Sequence, residues 1–289
     1  MNTLQAFPAP AKLNLFLHVV GRRADGYHLL QSVFRFLDYG DTVWLGLRTD
    51  GEVHRLVALA GVAEDQDLTV RAARLLQHET GCRHGVDIRL DKRLPQGGGL
   101  GGGSSDAATV LLALNRLWGL NLPRQRLQEI ALELGADVPV FIFGQNAFAE
   151  GVGEILTPIS LQSAWYVVLA PLVQVATAAV FATPELTRDT HPIKIADFLA
   201  GIGRNDLQSV VERQYPEVAR SLAWLGRYAD LYGGEARMTG SGACVFLAVS
   251  DEPAAREVIG NLPQDIKGFI ARGLDRHPLY DFVGSDVEK

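Results

Sequence analysis

The sequence reads as a protein of mixed strands and helices with a second lobe in its latter half, and three observations lead there. Strand-like and helix-like segments alternate in both halves without the long succession of parallel strands that a doubly wound sheet requires. The length of 289 residues suits one large domain or two small ones. After a tight turn at 148–154, a new apolar strand opens at Trp165-Tyr166-Val167-Val168-Leu169-Ala170-Pro171. An N-terminal lobe is therefore placed at 1–155 and a C-terminal lobe at 156–289, with a final strand that can return to the first lobe.

Residues 11–20 are rich in strand formers, and Lys12 and Asn14 share one face because a strand repeats every two residues. That face either meets water at a sheet edge or walls a site where Lys12 meets anions. Asp25-Gly26 marks a turn, followed at once by Tyr27 and His28. This pair either packs or stacks on and hydrogen-bonds a flat ring. Two strands are expected next, at 33–37 and 41–47, then polar turns. A helix over 67–78 has Asp67 as its cap, and 85–90 reads as a strand.

The segment 95–107, Pro-Gln-Gly-Gly-Gly-Leu-Gly-Gly-Gly-Ser-Ser-Asp-Ala, dominates the chain, with six glycines in seven positions. It lies between a strand pattern and a helix pattern (Ser105 to about Leu117), which separates it from an interdomain linker. Backbone N–H groups in such a turn, feeding a helix N-terminus, form an anion cradle. It is not a Walker A loop, since no Gly-Lys-Ser/Thr closes it, nor a dinucleotide fingerprint.

A further helix spans 122–134, with Pro123 early and Gly135 at its end. Asp137 then stands alone before an apolar run, as a turn or cap residue or as a base tuned by its neighbours. In the second half, 175–181 leads toward Thr183-Pro184, and a short helix begins near Ile195. Helices at 207–211 and 216–231 follow. Gly240-Ser241-Gly242 makes a tight turn between strand-like segments, then come a helix at 251–261 and a strand at 268–272.

Composition narrows the function classes. Hydrophobic residues at 47%, charged residues at 21% and a net charge of −6, with no basic run, argue against nucleic acid or an anionic membrane as partner. Cys82 and Cys244 are far apart and lack metal spacing, so free thiols in a reducing compartment are expected. No signal-like N-terminus and no apolar run of spanning length are seen, so a cytoplasmic location is expected.

Three separated segments, Pro10–Leu15, Pro95–Ala107 and Met238–Phe246, together resemble the three motifs of the GHMP kinases. Further segments at 23–34, 37–41 and 135–141 resemble the branch of that family that phosphorylates a cytidine-diphosphate-linked methylerythritol. The resemblance runs from about Pro10 to about Ala271. It implies an α+β fold of two lobes, an N-terminal lobe like ribosomal protein S5 and a ferredoxin-like C-terminal lobe, with ATP and substrate in the cleft between them. It implies transfer from ATP to the 2-hydroxyl of that substrate, a step in non-mevalonate isoprenoid precursor synthesis.

Carried over by motif, Pro95, Gln96, Gly97, Gly98, Gly99, Leu100, Gly101, Gly102, Gly103, Ser104 and Ser105 would bind ATP. Asp137 would be the base and Lys12 the catalytic lysine. Mg²⁺ would sit on phosphate oxygens and water, with Ser104 or Ser105 as the alternative side-chain ligands and no dedicated protein metal site. Tyr27 and Phe181 would sandwich the cytosine and His28 would bond its edge. Asn14 would lie by the erythritol end or the lysine, and Gly240 and Ser241 would approach from the second lobe. Asp67 departs from the Asn common at that position, which leaves the adenine contacts open. The small-molecule partners are thus ATP and the cytidyl substrate, with a monomer or weak homodimer expected. Two alternatives remain: a homoserine- or mevalonate-type kinase, which needs no aromatic stack, and a non-catalytic nucleotide-binding regulator, which would be expected to lack Lys12 or Asp137.

Overall fold

The computed structural model describes residues 3–283. The chain opens with two long antiparallel strands, β1 (Gln5–Arg22) and β2 (His28–Arg48), joined by the turn around Asp25-Gly26. Where the sequence predicts two strands, at 33–37 and 41–47, β2 runs unbroken for 21 residues. Its polar middle, Asp38-Tyr39-Gly40-Asp41, is held in the strand by close packing. A Cβ on Gly40 would lie 2.1 Å from the carbonyl oxygen of Ala9, so only glycine lets β1 cross here, and the β1–β2 register shifts beside it, between Pro10 and Lys12.

The chain continues through β3 (Val53–Arg55), α1 (Leu68–Thr80) and β4 (Gly85–Asp91), then α2 (Gly102–Leu117), α3 (Arg124–Leu132) and α4 (Val138–Phe143). The hairpin β5 (Ala147–Glu150) and β6 (Ile155–Pro158) precedes β7 (Trp165–Ala170). Four helices follow: α5 (Thr177–Ala182), α6 (Ile195–Leu199), α7 (Gln208–Gln214) and α8 (Pro216–Tyr232). Then come β8 (Arg237–Met238), β9 (Val245–Val249), α9 (Glu252–Gly260) and β10 (Lys267–Leu274).

Helix boundaries follow local chemistry. Asp67 caps α1 by accepting from the Thr69 N–H, and Gly81 ends it in the left-handed conformation. The helix expected from Ser105 begins earlier, at Gly102, because Gly101 takes the cap position and accepts from the Ser105 N–H at 2.8 Å.

β2 is the spine of the molecule. One edge carries β1; the other is shared by β5 at 32–34, β10 at 36–37 and β4 at 42–48. The path β3-β4-β2-β10-β7-β9-β8 makes one continuous sheet. β10 pairs along β7 and its last residues, Gly273 and Leu274, reach Leu37 and Phe36 of β2. Arg35, wholly buried beside this junction, reaches the Asp275 carboxylate at 3.0 Å.

α1 to α4 pack on the first part of the sheet in one apolar core that includes Leu76, Leu111 and Phe141. α7, α8 and α9 pack with Val167, Leu169 and Leu247 in a second. A third cluster, with Leu13, Leu37, Leu100, Val168 and Cys244, joins the two. Among the described residues no helix is long and apolar enough to cross a membrane.

Candidate active site

Three cavities adjoin in succession, the first within the N-terminal lobe and the other two at its seam with the second lobe. The first, about 400 Å³, is walled by Pro95 to Ser104 and by Asp67, Thr69 and Lys92. The second, about 390 Å³, holds Lys12, Asn14 and Asp137, and shares Gly97, Gly99 and Ser104 with the first. The third, about 590 Å³, holds Tyr27 and His28, and shares Phe181, Thr177, Ala136 and Val152 with the second.

The glycine loop is fastened on both sides. The Lys12 N–H donates to the Leu100 carbonyl at 3.0 Å, and the Cys244 N–H donates to the Gly98 carbonyl at 3.1 Å. Leu100 is the loop's anchor: its side chain is buried in the cluster between the lobes, so only its backbone is available to a ligand. At Gly99 φ is +75°, and a Cβ there would lie 2.2 Å from the Thr239 carbonyl oxygen. At Gly97 φ is +66° with nothing within 4 Å of a Cβ, so this residue faces open cavity. The first N–H groups of α2 (Gly102, Gly103, Ser104) have no acceptor within the helix, and the helix dipole adds partial positive charge there. Ser105 corrects the sequence reading. Its hydroxyl is buried without a hydrogen-bond partner and its N–H is spent on Gly101, so of the two serines only Ser104 opens onto the cavities.

Lys12 is 2% exposed, and a buried ammonium needs partners. It donates to Asn14 Oδ1 at 2.6 Å and lies 3.2 Å from Asp137 Oδ2. The shared face of β1 is therefore a site wall and not a wet edge. Asp137 starts α4 and stays 42% exposed in its side chain, which leaves the carboxylate room for a ligand hydroxyl. Both polar atoms of the Asn14 side chain have protein partners: its Oδ1 takes Lys12 and its Nδ2 donates to Ser32 Oγ at 2.8 Å. Of the two roles open to it, the geometry favours holding the lysine. From the second lobe, Thr239 Oγ1 accepts from the Asn14 N–H at 2.9 Å and donates to the Gly99 carbonyl at 3.3 Å. Gly240 and Ser241 line the same cavity, and Ser241 Oγ lies 2.7 Å from Thr177 Oγ1.

In the third cavity, His28 and Phe181 stack with centroids 4.8 Å apart, and Tyr27 is left 63% exposed. Burial, then the charges of Arg188 and Arg22, hold His28 below its usual pKa.

Several residues of the site have roles that no local pattern in the sequence assigns. Ser32 and Thr239 lie far from Asn14 along the chain. Lys92 bridges Asp41 and Asp106, the latter at 2.8 Å, at the floor of the first cavity. Burial pushes Asp106 up to about 7 against the pull of Lys92, with Asp41 adding to the rise. Burial opposes the charge of Lys92, but Asp106 and Asp41 outweigh it and raise its pKa. Asp67 is also committed, to the Thr69 N–H and hydroxyl and to Arg55 at 3.2 Å. Cys244 is buried against the glycine loop, its thiol pushed up to about 12 by burial, while Cys82 is half-buried; both are free.

A glycine loop leading into a helix N-terminus, a lysine–carboxylate pair and two adjoining cavities are what a small-molecule kinase requires. The chain belongs to the GHMP kinases: residues 67–145 match the GHMP kinases N terminal domain and 186–267 the GHMP kinases C terminal family. It is 70% identical to the 4-diphosphocytidyl-2-C-methyl-D-erythritol kinase of Thiobacillus denitrificans, covering 96% of this chain and 99% of that one. It is 60% identical to the kinase of the same name from Nitrosospira multiformis, over 96% and 93%. A crystal structure of 4-(cytidine 5'-diphospho)-2C-methyl-D-erythritol kinase superposes with a TM-score of 0.77 at 33% identity, covering 93% of this chain and 99% of that one.

Proposed function

We propose that the chain transfers the γ-phosphoryl group of ATP to the 2-hydroxyl of 4-diphosphocytidyl-2-C-methyl-D-erythritol. The observation that carries this reading is the continuity of the three cavities, with the Lys12–Asp137 pair in the middle one. Phosphoryl transfer needs little covalent help; it needs held phosphates, neutralised charge and an aligned hydroxyl. The loop amides and the α2 N-terminus would hold the triphosphate from the first cavity. Asp137 would accept the hydroxyl proton, and Lys12, fixed by Asn14 and Ser32, would offset charge on the moving group. The third cavity, with Tyr27, His28 and Phe181, suits a pyrimidine. The 70%-identical relative of that name supports the same acceptor.

Mg²⁺ would arrive as the ion of the triphosphate. The Ser104 hydroxyl and the Asp137 carboxylate are hard oxygen donors on the shared cavity, which suits an ion that keeps most of its shell as phosphate and water. When bound it would neutralise phosphate charge.

The test is ADP release from purified protein with ATP, Mg²⁺ and one acceptor at a time. Turnover with the cytidyl substrate, and none above background with homoserine or mevalonate, is expected. Turnover with mevalonate or homoserine instead would discard the pyrimidine cavity and keep the kinase. ATP binding without turnover on any acceptor would favour the regulator.

A further inference from the structure

Arg188 does not line the third cavity, yet it bonds to the segment that carries Phe181 and to His28, which do. Its Nη2 donates to the carbonyls of Phe181 at 2.8 Å and Thr183 at 2.7 Å, and its Nη1 to that of Leu186 at 3.0 Å. Its Nε donates to His28 Nε2 at 3.3 Å. One guanidinium therefore holds the backbone that carries Phe181 and the imidazole on which Phe181 stacks.

The bond to His28 has a chemical consequence. Arginine Nε always bears its hydrogen, so His28 Nε2 must be the bare, accepting nitrogen. In the neutral ring the proton then resides on Nδ1. A second proton on Nε2 would face the guanidinium N–H, which agrees with the direction of the His28 shift and with Arg188 among its causes. Nδ1 has no protein partner among the described residues, and His28 lines the cavity. The ring thus offers a ligand a hydrogen-bond donor and no acceptor.

We propose that Arg188 is a positioning residue that locks His28 in its Nδ1–H tautomer, and that this tautomer makes the cavity select cytosine over uracil. It rests on the cytidyl reading above. On its pairing edge cytosine presents an acceptor at N3, which the Nδ1–H satisfies. Uracil presents N3–H there, so two donors meet and each is left without a partner. A mismatch of this kind costs about ten- to a hundredfold in affinity in a partly buried site.

The test uses the full chain with CDP and UDP as probes. ¹⁵N spectra of the histidine rings, with the His28 signals assigned by loss in His28→Gln, read the tautomer in the ligand-free protein. We expect a protonated Nδ1 and a bare Nε2. In Arg188→Met the ring should move toward the Nε2–H form that free imidazole side chains favour. The CDP-over-UDP preference should then collapse, with KM for the cytidyl substrate raised and KM for ATP unchanged. Arg188→Lys, which keeps a donor and a charge, should recover part of the preference. An Nε2–H tautomer in the unaltered protein overturns the proposal and needs no variant to fold. Equal weakening of CDP and UDP in a folded Arg188→Met also overturns it, since that is what a merely structural arginine would give. If the unaltered protein shows the Nδ1–H tautomer but binds neither probe, the cytidyl reading falls, and the selectivity drawn from it falls with it.

Discussion

Alanine at Gly99 and alanine at Gly97 separate the two duties of the glycine loop. Both residues have positive φ, so each substitution carries the left-handed strain of a Cβ, about 1–2 kcal/mol. At Gly97 nothing lies within 4 Å of the new methyl, so strain is the whole effect on folding. At Gly99 the methyl would fall 2.2 Å from the Thr239 carbonyl oxygen and 3.2 Å from that of Gly242. Both are backbone atoms that cannot swing aside. The turn at 239–242 must move, which breaks the bond from Thr239 Oγ1 to the Gly99 carbonyl and disturbs the bond from the Asn14 N–H to Thr239 Oγ1. At about 1 kcal/mol for each hydrogen bond, Gly99→Ala should lose roughly 3–4 kcal/mol in all. Urea melts of the two variants measure the difference, and titration with ATP measures the other duty. Gly97→Ala should lose only the strain of about 1–2 kcal/mol but bind ATP more weakly, because its methyl enters the cavity the phosphates would fill. Equal stability losses in the two variants would refute the claim that Gly99 is where the lobes touch.

Other expectations follow from the same geometry. Lys12→Met should cut turnover by about 10²–10³-fold, the usual loss for one preorganised donor, with little change in ATP affinity; initial rates at saturating substrates check it. Asp106, raised to about 7 by burial, binds in the folded state a proton that the unfolded chain releases above its ordinary value of 3.8. Its contribution to stability is therefore present below that value and lost as pH rises toward 7. Asp106→Asn should remove this loss, and urea melts at pH 5 and pH 8 should converge relative to the parent. His277, buried beside Phe36 and Phe141 and held down to about 3 by burial and then Arg124, works in the opposite sense. The unfolded chain takes up its proton below 6.5, so stability is full above that value and falls as pH drops toward 3. His277→Phe should shallow that acid limb in thermal melts.

Much of this site was legible because its chemistry is local in sequence. The glycine run declares a close-approaching loop wherever it occurs, and Asp67 marks a helix start because its carboxylate can accept from a free N–H of the first turn; Gly135, expected as the end of a helix over 122–134, lies beyond α3, which stops at Leu132. The alternation of Lys12 and Asn14 placed both on one face of β1. What the sequence withheld is set by long-range packing. Lys12 meets Asp137 only because the start of α4 comes to lie beside β1, and nothing in either segment encodes a 3.2 Å pairing. The bend that polar Asp38-Tyr39-Gly40-Asp41 invites is overruled by β1, which needs the space a Gly40 side chain would take. Ser105 and Ser104 are equivalent as letters; the helix start at Gly102 turns one inward and leaves the other at the cavity. Arg188 ties the carbonyls of Phe181, Thr183 and Leu186 to the ring of distant His28, and that kind of role has no motif.

The most direct test is the single-turnover rate of Asp137→Asn with saturating ATP and 4-diphosphocytidyl-2-C-methyl-D-erythritol, set beside the affinity of the variant for each. Asparagine keeps the size and cannot take the proton. If Asp137 is the base between the two substrate cavities, the transfer step should slow by about 10²–10⁴-fold while both affinities hold. A transfer rate within a few-fold of the parent would contradict the account, whatever happened to binding.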